Sequence, residues 1–188
     1  MLRTLALALL ATTVACGSTG GGSAAKPSTS TSSVGSAATV RLTSPAFKDG
    51  GPIPAQYTCD GSGQSPPLAW SGVPTGTASV ALRVQDIDTA QKFIHWIVYD
   101  IPPSTTALAG GQIPPGARQT ANSFGKQGYG GMCPPAGARH RYVFTVLALQ
   151  TELTVSDQGS PSELWSTLER SAVVGKGELT GTYQRGGS

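Results

Sequence analysis

The alternation of apolar and polar positions along the chain predicts a series of strands separated by turns, with one helix near the C-terminus. Residues 139–149 (RHRYVFTVLAL) carry the longest strand signal. Apolar residues occupy both alternating sets there, so this strand is expected to be central and covered on both faces. Residues 78–85 (ASVALRVQ) and 93–101 (FIHWIVYDI) are β-branched- or aromatic-rich runs of strand length. In the second run a period of two puts Phe93, His95, Ile97 and Tyr99 on one face and Ile94, Trp96 and Val98 on the other. His95 is thus expected to point inward among apolar neighbours. TVRLT at 39–43 predicts a first strand, and LTGTYQ at 179–184 a last one. Ser160-Pro161-Ser162-Glu163 combines an N-cap serine, a proline at the first helical position and a glutamate at the third, which is a capping box. With the stripe Leu164, Trp165, Leu168 and Val173 it predicts a helix over 161–173 that packs on the sheet, with Gly175 and Gly177 as its stop. Trp165 and Trp70 read as packing residues.

Between these elements proline and glycine punctuate the chain. Residues 44–70 read as loop with short strand fragments, Pro102-Pro103 ends the pairing of the preceding strand, and 107–129 reads as a long loop of the kind that carries function. With 188 residues, 38% hydrophobic and 12% charged, the chain can build one ordinary core or two small ones. Its 25 glycines and 14 prolines favour turn-rich β structure. The formal charge is +3; without Arg3 it would be 12 basic against 10 acidic residues, or +2. The basic residues are scattered, with no stripe that would neutralise a row of phosphates, so no nucleic-acid partner is expected.

Residues 1–16 (MLRTLALALLATTVAC) show one early positive charge, an apolar run of signal-peptide length and small residues before Cys16. The run is too short to span a bilayer as a helix. Thr13-Val14-Ala15-Cys16 resembles a bacterial lipobox, in which the cysteine is lipidated and becomes the first mature residue; Thr13 stands where leucine is usual. A cleaved or membrane-retained leader with an incidental cysteine is the alternative. Residues 17–38 are rich in Gly, Ser and Thr and read as a flexible, disordered tether, leaving 39–188 as the folded domain.

The remaining thiols, Cys59 and Cys133, form an even pair in a chain read as exported, which suggests a disulfide; two free cysteines are the alternative. There is no Cys-x-x-Cys. Only two histidines exist, His95 shortly after Asp86 and Asp88, and His140 after PPAGAR, each beside a Pro/Gly-rich loop. Taken singly, each reads as a structural histidine. A metal set of Asp86, His95 and His140 is chemically conceivable. However, the spacing carries no metal signature, nucleophile elbow or phosphate loop, so neither metal, cofactor nor catalysis is expected.

Several separately spaced stretches change the balance. Tyr57-Thr58-Cys59-Asp60-Gly61, Ser65-Pro66-Pro67-Leu68-Ala69-Trp70, Asp86-x-Asp88 with His95-Trp96, Asn122-Ser123-Phe124-Gly125 with Gly128-Tyr129-Gly130-Gly131, Cys133-Pro134-Pro135-x-Gly137 and His140-Arg141-Tyr142 follow one another in order. Together they resemble the phosphatidylethanolamine-binding protein family, most closely its bacterial Raf-kinase-inhibitor-like branch, over about residues 40–185. The resemblance implies a mainly β fold, an antiparallel β-sandwich with a C-terminal helix. It also implies a small anion-binding pocket made by Asp86, His95, Pro135, His140 and Tyr142, with Asp88 and Trp96 in support. Imidazole N–H groups and a tyrosine hydroxyl can donate to phosphoryl or carboxylate oxygens, and a carboxylate can orient an imidazole. Where the family usually reads Asp-Pro-Asp-Ala-Pro, this chain has Asp86-Ile87-Asp88-Thr89-Ala90. Without the prolines this loop is expected to be less rigid.

The expected function is a non-enzymatic, lipid-anchored binding module for a small anionic or phosphorylated group, such as a lipid headgroup, on the extracytoplasmic face of the membrane. An inhibitor of an extracytoplasmic protease, or of a kinase, is the alternative from another class. A hydrolase or metal enzyme is a third.

Overall fold

The computed structural model describes residues 36–153 and 159–186. The leader and lipidation residue, with most of the tether, lie outside the described residues. Among the described residues nine strands and one helix follow in order: β1 (Ala38–Thr39), β2 (Arg41–Thr43), β3 (Leu68–Ser71), β4 (Ser79–Asp86), β5 (Ile94–Ile101), β6 (Ala107–Leu108), β7 (Arg118–Gln119), β8 (Arg139–Leu149), α1 (Pro161–Arg170) and β9 (Val173–Gln184). A single 3-10 turn covers Ala55–Tyr57. The strands form a six-stranded sheet, ordered β1-β9-β8-β4-β5-β7, and a three-stranded sheet, ordered β2-β3-β6. All pairings are antiparallel except β1 with β9, so the larger sheet is mixed. This is the expected mainly β sandwich with a C-terminal helix.

The period of two along β4 and β8 explains the layers. Val80, Leu82 and Val84 alternate with Ala81, and Tyr142, Phe144 and Val146 alternate with Leu147 and Leu149. The first sets pack with Leu42, Leu68, Trp70 and Leu108 of the small sheet in one buried cluster. The second sets pack with Leu164, Trp165 and Leu168 of α1 in another. β8 is therefore covered on both sides, as its sequence predicts. The helix starts as its capping box dictates: the Ser160 hydroxyl accepts from the Glu163 N–H, and the Glu163 carboxylate accepts from the Ser160 N–H.

The helix ends earlier than its pattern suggests. It stops at Arg170, and Val173 opens β9 rather than closing the apolar stripe. Gly175 and Gly177 are not its stop signal; they lie inside β9, where packing demands the missing side chain. A Cβ on Gly177 would stand 2.1 Å from the Val40 carbonyl oxygen, and one on Gly181 2.5 Å from Ile53. The predicted first strand is likewise divided. Val40 donates to the Lys176 carbonyl at 2.8 Å, and the chain then crosses from the large sheet to the small one. Gly177 thus marks where the Val40 backbone passes directly over the strand, while Gly175 and Gly181 make room for the side chains of Pro74, Val40, Ile53 and Phe47. The long segment after Pro103 contains two short strands, β6 and β7, each two residues long.

Candidate binding pocket

The site is built at one end of the sandwich from β4, β5 and β8. Asp86 closes β4 and stands directly opposite Tyr142 of β8. His140 is two residues before Tyr142, so Asp86, His140 and Tyr142 share the core-facing side of the sheet by strand period alone. His95 reaches that side by a different route. Val84 pairs with Trp96 and Gln85 with Ile94, so one step along β4 matches two along β5 and His95 is the extra residue of a β-bulge. Ile94 consequently packs on the helix side with Ile97 and Tyr99. His95 turns instead toward Tyr142, ring centroids 5.4 Å apart and edge to face. This corrects the simple alternation: His95 is buried, as expected, but it does not share a face with Ile97 and Tyr99.

Loop backbone satisfies the bulge. The Ile94 carbonyl accepts from Ser123 and the His95 carbonyl from Gly130. The His95 Nδ1 lies 2.9 Å from the Gly130 carbonyl oxygen. A carbonyl can only accept, so Nδ1 carries the proton and Nε2 remains available. Gly130 has no room for a side chain, because a Cβ there would stand 2.6 Å from the Phe124 ring. Phe93 and Phe124 complete the wall, with ring centroids 5.1 and 5.5 Å from His95.

The second imidazole is held by the carboxylate. His140 Nδ1 donates to Asp86 Oδ2 at 2.7 Å, while Asp86 Oδ1 accepts from the Asp88 backbone N–H at 2.9 Å. Its Nε2 is likewise left without a protein partner. The Tyr142 hydroxyl is fully buried and meets no partner in hydrogen-bonding geometry. Burial, and then the Asp86 charge beside it, raise the tyrosine pKa, so the phenol keeps its proton. Burial lowers the pKa of His95 below its ordinary 6.5, against the opposing effects of the Gly130 carbonyl and the Asp86 charge.

Asp88 plays a different part. Its carboxylate takes the Arg141 guanidinium through Nε and Nη2 and the Arg141 backbone N–H at 2.7 Å. These bonds hold its pKa down at about 2. The fork ties the 87–93 loop to β8 beside His140. Thr89 closes the loop from within: its hydroxyl donates to the Asp86 carbonyl at 3.3 Å and accepts from the Phe93 N–H at 2.8 Å. These bonds link the two ends of a loop that lacks the family's prolines.

Trp96 and Pro135 are held by other partners. Trp96 donates through its indole N–H to Gln119 Oε1 at 3.1 Å and packs on Tyr129, beside a separate polar cavity. Pro135 is exposed and opens the turn into β8, with Ala138 donating to its carbonyl. Cys59 and Cys133 form the expected disulfide, with Cα atoms 5.4 Å apart. The bridge pins the 3-10 turn region to the segment that supplies Gly130, and Cys59 also donates to the Met132 carbonyl. The sequence reading did not single out Gly130, Phe93, Phe124 or Arg141 for the pocket. The glycine pair beside Tyr129 and the aromatic residue two before His95 were the available signals. Among the described residues no group of three or more His, Cys, Asp or Glu is placed to hold a metal ion.

The β-sandwich with its C-terminal helix is the fold of a known protein family. The family profile described as phosphatidylethanolamine-binding protein matches residues 43–184. The chain belongs to this family. It is 41% identical over 153 residues to a UPF0098 protein of Methanothermobacter thermautotrophicus, covering 78% of this chain and all of that one. It is 37% identical over 193 residues to the "Putative lipoprotein LppC" of Mycobacterium tuberculosis, covering 97% and 95% of the two chains. The crystal structure of Escherichia coli YbcL, described as a member of the mammalian PEBP family, superposes with a TM-score of 0.72 at 35% identity, over 77% of this chain and 98% of that one.

The buried state of His95 has a measurable consequence. Between the lowered native pKa and 6.5 the unfolded chain binds a proton that folded His95 refuses, so stability falls as pH drops through that window and is fully present above it. Urea unfolding in phosphate-free buffer is expected to show a shallower loss of stability below pH 6.5 in His95→Gln than in the parent chain. Equal slopes would show that His95 takes up its proton as readily folded as unfolded.

Proposed function

We propose that the chain is a non-enzymatic binding module whose pocket takes a small anionic group, phosphate or a phosphorylated headgroup, between His95, His140 and Tyr142. The buried, unpartnered Tyr142 hydroxyl carries this reading. The Asp86 carboxylate beside the phenol lies outside good hydrogen-bonding geometry, and a ligand oxygen would complete a bond whose loss costs up to about 1–3 kcal/mol. His95 and His140 are each anchored through Nδ1, so Nε2 of either ring can meet ligand oxygens, donating when protonated. Asp86 acts behind His140 as its orienting group. Phe93 and the edge-on Phe124 ring shield one side of His95 from water, which strengthens any charge-assisted hydrogen bond formed there. Phe124, 48% exposed, and Ile87, 36% exposed, are the exposed large hydrophobic residues among those described, and both belong to the segments that frame the pocket. They suit a ligand whose anionic head is joined to an apolar body.

Titration of the chain with phosphate and with phosphoethanolamine, followed by histidine side-chain NMR, is expected to move the ring signals of both His95 and His140. Tyr142→Phe, which removes only the hydroxyl, is expected to weaken binding by about tenfold, as loss of one hydrogen bond to a charged group implies. No response at either histidine up to tens of millimolar would defeat this reading.

We also propose that the chain is exported and anchored through a lipid on Cys16, with residues 17–38 as a tether and 39–188 as the binding domain. Support comes from the lipobox-like Thr13-Val14-Ala15-Cys16 and from the likeness to LppC along 97% of the chain. Among the described residues no helix is long and apolar enough to cross a membrane. Cys16→Ser is expected to move the protein from the detergent phase to the aqueous phase on fractionation of expressing cells. An unchanged distribution would remove the lipid anchor from the account.

A further inference from the structure

A second cavity lies on the other face of the large sheet, between β4 and α1. It has a volume of about 350 Å³, and its walls include Arg83, Gln91, Lys92, Trp165, Ser166 and Glu169. Arg83 projects from the middle of β4, and its guanidinium carbon stands 4.4 Å from the centre of the Trp165 ring. The Arg83 Nε and the Trp165 indole N–H are both buried without a hydrogen-bond partner. Thr145, paired with Arg83 across the sheet, leaves its hydroxyl unpartnered as well. None of the ion pairs among the described residues includes Arg83. Glu178 is bonded instead to Lys176 at 2.8 Å. Glu169 acts on Arg83 only as a nearby charge, and burial outweighs it, lowering the arginine's pKa.

Partly burying a guanidinium without an ion-pair partner is costly, and proteins ordinarily supply an acceptor. Here the two residues that carry unpartnered buried donors, Arg83 and Trp165, line one cavity together with Lys92. Arg83 and Lys92 against Glu169 leave one net positive charge, which matches a monoanion. The planar guanidinium fork matches a carboxylate, and the volume, at the small end for ligand pockets, suits a compact molecule. We propose that this cavity is a second ligand site, separate from the His95–His140 pocket, that takes a small monoanionic carboxylate on the Arg83 fork beside Trp165. Glu169 at its edge disfavours more highly charged anions.

The test is a titration of the 15N-labelled full chain with sodium acetate, with sodium chloride at matched ionic strength as control. Saturable shifts are expected at the Trp165 indole N–H and the Arg83 Nε–H, while the Trp70 and Trp96 indole signals stay in place. Arg83→Met is expected to weaken acetate binding at least about tenfold, and Arg83→Lys, which keeps the charge without the fork, by less. The unmoved Trp96 signal checks that each variant is folded. Shifts that fail to saturate, that chloride reproduces, or that survive Arg83→Met would overturn the site. A stronger response to inorganic phosphate than to acetate at these two signals would overturn the carboxylate assignment. Because the readout is confined to Trp165 and Arg83, it is independent of any response at the two histidines.

Discussion

The pocket depends on a single register shift in β5. One extra residue between Trp96 and Ile94 lets two consecutive side chains, His95 and Trp96, leave the strand toward the sandwich core. Without it, strict alternation would carry His95 to the helix side with Ile97 and Tyr99, away from Tyr142 and His140. A bulge leaves backbone groups unmatched in the ladder, and they need partners elsewhere. The 120–131 segment supplies them through Ser123 and Gly130, and the same Gly130 residue fixes the imidazole through its carbonyl. The loop that completes the ladder is therefore the loop that orients the His95 ring.

That segment is held in turn by contacts that leave no space for side chains. Gly130 lies against the Phe124 ring, and a Cβ on Gly131 would stand 2.9 Å from the Thr58 carbonyl carbon. The Cys59–Cys133 bridge joins the same two stretches covalently. On the opposite wall the Asp88–Arg141 fork and the Thr89 hydroxyl tie down the 87–93 loop. The Arg141 side of the fork is exposed, so its value lies in position rather than stability. A rigid β4–β8 pair thus carries Asp86, His140 and Tyr142, and two loops bring the remaining wall to it.

Much of this was legible in the sequence. Strand period places Asp86, His140 and Tyr142 on one face once β4 and β8 are recognised as neighbours, and the capping box at Ser160 fixes where the helix begins. The two exposed cysteines, each beside a loop of the site, pair as their even number suggests. What stayed hidden depends on register and close approach. No residue type announces the bulge at His95, because the strand reads as an uninterrupted apolar run. The glycines of β9 look like a helix stop until Val40, Ile53 and Phe47 are seen packed against them. Trp96, adjacent to His95 in sequence, contributes to a neighbouring cavity because its indole is turned to Gln119. Arg83 was equally hidden, since one cation inside a strand run gives no indication that its partner is missing.

Protein hydrogen bonds anchor both imidazoles through Nδ1. Long-range 1H–15N correlation of the histidine rings above neutral pH tests this directly. The account predicts the Nδ1–H tautomer at both His95 and His140, with each Nε2 showing the shift of an unprotonated nitrogen. An Nε2–H tautomer at either residue, or a freely averaging mixture, would contradict it.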